Sequence, residues 1–155
     1  MEHFPSTLDA QQSAEMVDRH RALWDERGFG LWAVEVRETS TFIGFVGLTA
    51  PGWEAHFTPA VEVGWRLARH AWGHGYAPEA ARAAVRWGFE TLALPNDEIV
   101  SFTVPANRNS RRVMDKIGMT HDPADDFDHP ILPHDSPYSR HVLYRLSRTR
   151  WQSAG

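Results

Sequence analysis

The sequence predicts a mixed α/β fold, in which an antiparallel meander of strands is followed by a βαβ crossover. Short runs of alternating apolar residues fill the first half of the chain, and a glycine-rich turn then leads into an apolar stripe with helical spacing. A further strand pattern follows that stripe, as a parallel crossover requires. With 155 residues, 42% of them hydrophobic, the chain suits a single domain over residues 1–155.

The first predicted element is a helix that ends at Gly28. Ser6 or Thr7 is expected to cap it, with Asp9 and Gln12 in its first turns. The residues expected to share its apolar face are Ala14, Val17 and Trp24.

Three strand patterns come next, and their short connections predict an antiparallel meander. They are Leu31–Val36, Phe42–Leu48 and Ala60–Leu67. The third alternates strictly, which places Val61 and Val63 on one face and Glu62 on the other.

The apolar spacing then changes to that of a helix. Pro78 is expected at its first position, and the stripe comprises Ala81, Ala84, Val85, Gly88 and Leu92. The remaining predicted elements are a strand (Ile99–Val104), a short helix (about Ser110 to Ile117), a loop (Asp122–Pro137) and a final strand (His141–Leu146).

Composition excludes several classes of protein. The formal net charge of −4 and a pI near 6.1 argue against wholesale nucleic-acid binding, which needs clustered positive charge. The chain has no Cys, so thiolate chemistry and disulfides are excluded. Apolar runs such as Phe42–Ala50 are too short to cross a bilayer, and no signal peptide is visible. We therefore expect a cytoplasmic protein with no membrane partner.

The strongest local motif is the segment Trp72–Ala80, WGHGYAPEA, between a predicted strand and a predicted helix. Two glycines let the backbone approach a ligand, and successive N–H groups at a helix start can hold phosphate oxygens. An ordinary tight turn before a helix explains the glycines equally well. The motif is neither the dinucleotide fingerprint nor a P-loop.

Six blocks in the sequence resemble the GNAT superfamily of N-acetyltransferases, in the order seen in its RimJ/RimL-like branch. They are ERGFGLWAVE, FIGFVGL, EVGWRL, WGHGYAPEA, VPANRNSRRVMDKIGM and RHVLYRL, and the resemblance covers roughly Ser6 to Leu146. It implies a GNAT-like sheet whose strands splay apart to hold acetyl-CoA.

The resemblance also implies which residues meet acetyl-CoA. The backbone of Gly73–Ala77 would hold the pyrophosphate, Asn107 the pantetheine arm, and a backbone N–H near Val63 or Gly64 the thioester carbonyl. The residues assigned to the cofactor are Val63, Gly64, Trp65, Arg69, Gly73, His74, Gly75, Tyr76, Ala77, Asn107 and Arg111. Arg112 and Lys116 follow Arg111. One or two of these three side chains are expected to meet the adenosine phosphate of CoA, and a solvated helix face explains them equally well. His70 stands where the signature usually has Arg or Gln.

Acetyl transfer needs a neutral amine and a protonated leaving sulfur. Glu62 is the candidate general base, with a solvated strand carboxylate as the alternative. Ser110 is the candidate acid, with a helix-start hydroxyl as the alternative, because Met114 stands where many family members have Tyr. The family transfers the acetyl group directly, without an acyl-enzyme.

No metal site is expected. His70 and His74 have the spacing of a helical zinc pair, but Gly73 and Gly75 stand where that helix would have to be.

The acceptor is expected to be a primary amine, either a protein N-terminal α-amine or a small molecule. Trp53, His56, Phe57 and the loop Asp122–Tyr138 are the segments expected to contact it. The alternative is a CoA-binding module with little or no catalysis. Family members usually open with a strand and a helix before the segment matching Phe4–Gly28, and neither is visible here. Either the given start is not the native one, or the sheet has lost an edge strand and exposes a neighbour that could pair with another chain. The resemblance also makes a homodimer an expectation.

Overall fold

The computed structural model describes residues 8–154. Within that range the strands are β1 (Leu31–Val36), β2 (Thr41–Thr49), β3 (Glu62–Leu67), β4 (Glu98–Thr103), β5 (Thr120–His121), β6 (Phe127–Asp128) and β7 (Arg140–Ser147). The helices are α1 (Ala10–Arg27), α2 (Tyr76–Thr91), α3 (Arg108–Lys116) and α4 (Arg148–Ser153).

One mixed sheet organises these elements, in the order β1-β2-β3-β4-β7-β5, and β6 pairs with β7. β1, β2 and β3 pair antiparallel, whereas β3 and β4 are parallel and are connected through α2. The predicted fold class, a meander followed by a βαβ crossover, is confirmed.

The main core lies between the sheet and α2. Ala81, Ala84, Val85 and Gly88 of α2 are buried as predicted, and the first three pack against Leu48 and other strand residues. The helix begins at Tyr76 after Gly75, so Pro78 is its third residue and the expectation of Pro78 at the first position is wrong by two residues. Leu92 follows the helix as its C-terminal cap.

α1 packs loosely, and its start and its inner face differ from the prediction. Asp9 caps the helix through a reciprocal pair of hydrogen bonds with Gln12, while Ser6 and Thr7 lie outside the described residues. The half-buried residues of the helix are Ser13, Met16, His20, Leu23 and Trp24. Ala14 and Val17 are exposed, because the inward stripe runs one position earlier. Gly28 ends the helix with φ 73°, as predicted.

Trp24 anchors α1 to the rest of the fold. Its ring lies 5.1 Å from that of Trp32 on β1, and Trp32 lies 5.2 Å from Trp87 on α2. The indole N–H of Trp24 also donates a hydrogen bond to the Leu31 carbonyl. Trp32 and Trp87 are half-buried, and this three-ring cluster packs against the main core.

Several short elements were not predicted. β6 lies inside the segment predicted as a loop, and β5 and α4 had no visible pattern. α3 begins two residues earlier than expected, at Arg108 rather than Ser110, because Asn107 caps it by accepting a hydrogen bond from the Ser110 N–H.

The junction of β3 and β4 is the narrowest part of the sheet. Within residues 8–154 a single parallel pair, Glu62 with Val100, joins these strands, and the Val100 N–H donates to the Val61 carbonyl. Next to it the Ser101 hydroxyl, rather than a backbone N–H, donates to the Val63 carbonyl at 2.8 Å. The ladder ends there, which leaves an opening between the strands.

β1 lies at one edge of the sheet, with no partner on its outer side among the described residues. In the same range, none of the helices combines the length and the apolar character that spanning a membrane requires.

Candidate active site

A cavity of about 300 Å³ lies between the end of β3, the turn that precedes α2, and α3. Seven of the residues predicted from the sequence line it: Trp65, Gly73, Gly75, Tyr76, Ala77, Asn107 and Ser110. The fold therefore brings the glycine-rich motif and the start of the short helix to one site, although they are more than 30 residues apart in the sequence.

The glycine-rich turn is shaped for close approach by a ligand. Gly73 and Gly75 have φ of 79° and 83°, which side-chain-bearing residues rarely adopt. A Cβ atom built on either glycine meets no atom within 4 Å, so the space beside them is open. Gly75 caps α2 without any side-chain hydrogen bond, and the first N–H groups of the helix remain directed at that space. Such an arrangement binds phosphate oxygens.

Asn107 shapes the opposite wall. Its Oδ1 accepts from the Ser110 N–H at 3.2 Å, and its Nδ2 donates to Oγ1 of Thr103 at 3.1 Å. The side chain thus holds the start of α3 in place at the cavity wall. Its assigned contact with a pantetheine arm stays a prediction.

Ser110 is tied to β3 across the cavity. The indole N–H of Trp65 donates to the Ser110 Oγ at 3.3 Å. Because Oγ accepts this bond, its own hydrogen remains able to point into the cavity.

The basic side chains at the cavity differ from those predicted. Arg112 and Lys116, one helical turn apart on α3, line it. Arg111 lies off the cavity, where its guanidinium donates to the Pro105 carbonyl and to the Tyr144 hydroxyl. Arg69 also lies off it, 5.9 Å from the ring of Trp72.

Trp72, the first residue of the glycine-rich motif, lines the cavity and is 40% exposed. His74 is exposed and stacks on Tyr76 with ring centroids 5.5 Å apart, outside the cavity lining.

Glu62 lies on the face of β3 opposite to Val63, as the alternation predicted. Val63 is fully buried in the core against α2, whereas Glu62 shares its face with Gly64. A Cβ atom built on Gly64 has Oε1 of Glu62 as its nearest neighbour, at 3.9 Å. Glu62 and Trp65, the partner of Ser110, therefore belong to opposite faces of β3, beside the opening between β3 and β4.

The Glu62 carboxyl is desolvated. Burial raises its pKa to about 8, and the hydrogen bond that Oγ1 of Thr49 donates to Oε2, at 3.4 Å, partly opposes this rise. A carboxyl group with a pKa near the working pH can both take up and release protons, which suits a general base. The contact of Thr49 with Glu62 was not predicted from the sequence, because only the strand register shows that the two residues are paired.

Comparisons with known proteins place the chain in a family. A family model described as an acetyltransferase (GNAT) domain matches residues 1–120. The uncharacterized protein YkkB of Bacillus subtilis (strain 168) is 34% identical over 121 residues, covering 77% of this chain and 67% of that protein. The FsC-acetyl coenzyme A-N(2)-transacetylase of Aspergillus fumigatus is 34% identical over 128 residues, covering 80% of this chain but only 52% of that protein.

The chain is also similar to solved structures of acetyltransferases. The acetyltransferase from Agrobacterium tumefaciens str. C58 has a TM-score of 0.68 and 31% identity, covering 92% of this chain and 75% of that one. The mixed sheet opens beside a turn that can accept phosphate oxygens, and the family model matches more than half of the chain. The chain belongs to the GNAT acetyltransferase family, whose members use acetyl-CoA. The family resemblance inferred from the sequence blocks is confirmed, while the RimJ/RimL-like branch stays a prediction.

Proposed function

We propose that this protein is an N-acetyltransferase that moves the acetyl group of acetyl-CoA directly to a primary amine, as in the RimJ/RimL-like branch. The observation that carries the proposal is the cavity that joins the Gly73–Ala77 turn to Ser110, beside the opening next to Glu62. A family that uses acetyl-CoA and a site with this shape support the same chemistry.

The residues present fit acetyl-CoA. The open space beside Gly73 and Gly75 accepts the pyrophosphate on backbone N–H groups, and the partial positive charge of the α2 N-terminus adds to the attraction. Arg112 and Lys116 supply positive charge at the same cavity. When bound, acetyl-CoA supplies the activated acetyl group as a thioester.

Glu62 and Ser110 would divide the proton transfers. As the amine nitrogen forms its bond to the carbonyl carbon and the C–S bond breaks, Glu62 takes the proton that the nitrogen releases, directly or through a water. Ser110 donates its hydroxyl hydrogen towards the departing sulfur, and solvent restores it. The positions of the two residues on opposite faces of the opening support this division.

The acceptor is proposed to be a protein N-terminal α-amine or a small-molecule amine. It would approach on the Glu62 face of the sheet, where Trp53 and Phe57 lie. A cytoplasmic location and a homodimer belong to the same proposal.

One observation favours the second candidate, a CoA-binding module with weak or no catalysis. Met114 stands where many relatives have a Tyr acid, and its side chain is 1% exposed within the main core. No rearrangement of that side chain can supply a proton, so catalysis depends on Ser110.

The test combines binding and turnover. Calorimetry should show that the wild-type protein binds acetyl-CoA. Gly75→Ala puts a Cβ atom into the open space beside the turn at a residue with φ 83°, so this variant should bind acetyl-CoA about tenfold more weakly. Thiol release with a panel of amines and N-terminal peptides should show turnover. Binding without turnover on any amine would favour the module, and absence of binding would contradict both readings.

A further inference from the structure

The face of the sheet that carries Glu62 also carries a second apolar cluster, made largely of rings. Phe57 and Phe127 are buried at its base. The Trp53 ring lies 5.5 Å from Phe102 and 4.6 Å from His129, and all three of these side chains are only half-buried. His141 completes the exposed side, 5.9 Å from Phe102 and 5.1 Å from His129. We call Trp53, Phe102, His129 and His141 the aromatic surface.

The strand register places the aromatic surface next to the proposed base. Glu62 pairs with Val100, which belongs to the same cluster. Phe102 lies two residues further along β4 on the same face, about 7 Å from Val100. That direction leads past the end of the β3–β4 ladder, where the sheet opens. A molecule with its amine at Glu62 would therefore lay its next few atoms on Phe102 and Trp53.

The aromatic surface is uncharged at neutral pH. Burial is the main cause that lowers the pKa of both His129 and His141, and for His129 the neighbouring His141 adds to it. Both imidazoles are thus neutral near pH 7. The nearby Asp125 carboxylate is engaged by Arg145 and lies 3.4 Å from His56. This chemistry matches a flat apolar ring better than a chain of cationic amines.

Two buried polar atoms beside the aromatic surface lack a hydrogen-bond partner within residues 8–154. Nδ1 of His129 and Oγ of Ser139 have no hydrogen-bond partner among the described residues, and Ser139 is only 4% exposed. The two residues are neighbours, because the backbone N–H of His129 donates a hydrogen bond to the backbone carbonyl of Ser139. Buried polar atoms without partners are rare in a sealed core and mark where a water or a ligand group belongs.

We propose that the acceptor is an arylalkylamine: a primary amine joined by a short alkyl chain to an aromatic ring, which rests on the aromatic surface while the nitrogen faces Glu62. This inference rests on the proposed N-acetyltransferase function and specifies its substrate class. In the transfer the amine nitrogen bonds to the carbonyl carbon, the C–S bond breaks and the nitrogen's proton passes to Glu62. The Ser110 hydroxyl protonates the departing sulfur, which leaves as the thiol of CoA, and solvent takes the proton from Glu62 and restores the Ser110 hydroxyl. The ring takes no part in the bond changes and acts only in binding.

The test compares three acceptors, 2-phenylethylamine, n-propylamine and spermidine, with acetyl-CoA and purified protein. We expect the wild type to show a kcat/KM for 2-phenylethylamine at least about tenfold above those for the other two. Trp53→Ala should lower kcat/KM for 2-phenylethylamine about tenfold, mainly through KM, and leave n-propylamine within about twofold. Trp53→Phe keeps a ring and should restore most of the loss.

Phe42→Ala is the matched control, because Phe42 is an exposed aromatic residue on β2 and makes no contact with the aromatic surface among the ring pairs of the described residues. It should leave all three acceptors unchanged. A wild type that prefers spermidine, or a Trp53→Ala variant that slows all amines equally, would overturn the arylalkylamine assignment and leave the transferase intact. Acetyl-CoA binding with no transfer to any amine would instead overturn the transferase, and this inference with it.

Discussion

The indole N–H of Trp65 donates a hydrogen bond to Oγ of Ser110, and this bond joins β3 to α3 across the cavity. The two residues are 45 positions apart in the sequence. The bond fixes Oγ as an acceptor towards Trp65 and so directs the hydroxyl hydrogen elsewhere. This geometry turns a helix-start serine into a candidate proton donor.

Ser110→Ala removes that donor. We expect kcat to fall about 100-fold or more, the usual size of a general acid contribution, with KM for acetyl-CoA changed by less than about threefold. Trp65→Phe removes only the orienting bond, so its loss of kcat should be smaller. Steady-state kinetics with saturating amine measure both.

Ser110→Cys keeps a hydrogen donor and is the matched control for Ser110→Ala. It should retain more activity than the alanine variant. Equal activity of wild type and Ser110→Ala would show that the hydroxyl only belongs to the helix start.

Glu62 should make activity depend on pH. Its carboxyl must be ionised to accept a proton, and burial raises its pKa to about 8. At saturating amine, kcat should therefore rise with pH and level off above about 8, and Glu62→Gln should be slower and lack this rise. Glu38→Gln, which changes an exposed carboxylate in the turn between β1 and β2, is the control that should leave the profile unchanged.

Glu62 should also make the free energy of unfolding depend on pH, which can be measured without a catalytic assay. Because the pKa of Glu62 is higher in the folded than in the unfolded chain, its contribution to stability is fully present below the unfolded pKa near 4.5 and is lost as pH rises towards about 8. Glu62→Gln should gain stability relative to wild type as pH rises through that window. Urea unfolding at pH 5 and pH 9 measures the difference, and an equal difference at both values would contradict the raised pKa.

Arg112 and Lys116 should recognise the phosphate at the 3′ position of the CoA ribose. Each alanine variant is expected to bind CoA about tenfold more weakly, as for loss of one charge-assisted hydrogen bond, and to bind dephospho-CoA as wild type does. Calorimetry with both ligands separates loss of this contact from general damage to the site.

Two further substitutions on α3 complete that measurement. Arg108→Ala removes an equal charge that lies outside the cavity lining and should change neither affinity. Arg111→Ala tests the assignment made from the sequence. If it alone weakened CoA binding, the sequence-based role of Arg111 would stand and the roles of Arg112 and Lys116 would not.

Gly88 should be the most size-sensitive position of α2. A Cβ there would lie 2.8 Å from Cδ1 of Leu48 and 3.0 Å from Cδ1 of Ile99, two fully buried residues. Gly88→Val should lower the free energy of unfolding by about 1–3 kcal/mol through overpacking. Ala83→Val, on the exposed side of the helix, should cost no more than about 0.7 kcal/mol of helix propensity. Similar Tm values for the two variants would contradict the tight fit at Gly88.

The parts of the fold that the sequence predicted are those with a clear period. The alternation in β3 and the stripe on α2 each reflect burial on one side, which the structure confirms at Val63 and Ala81. β5 and β6 have two residues each, too few for a period to be visible, and α4 lacks buried residues to mark it. These elements depend on β7 beside them, which only the assembled chain provides.

The candidate site likewise contains some residues that the sequence predicted and others that only the structure reveals. The glycines of the turn are visible in the sequence because their conformation demands glycine, and they do line the cavity. The choice between Arg111 and Arg112 depended on the phase of α3. Adjacent helical residues point about 100° apart, and only the packing of α3 shows that Arg112, and not Arg111, faces the cavity. The contact between Thr49 and Glu62 depends on strand register, which no local pattern encodes.

The narrow joint at Glu62 and Val100 has a mechanical consequence. It divides the sheet into two leaves, β1–β2–β3 and β4–β7–β5, each held internally by several backbone pairs, whereas the described residues of β3 and β4 share one. Opening of the leaves would break few bonds, so backbone amides at this seam should exchange with solvent faster than those inside either leaf. A ligand that pairs with both strands would close the seam, and slowed exchange there would report its binding without any catalytic assay.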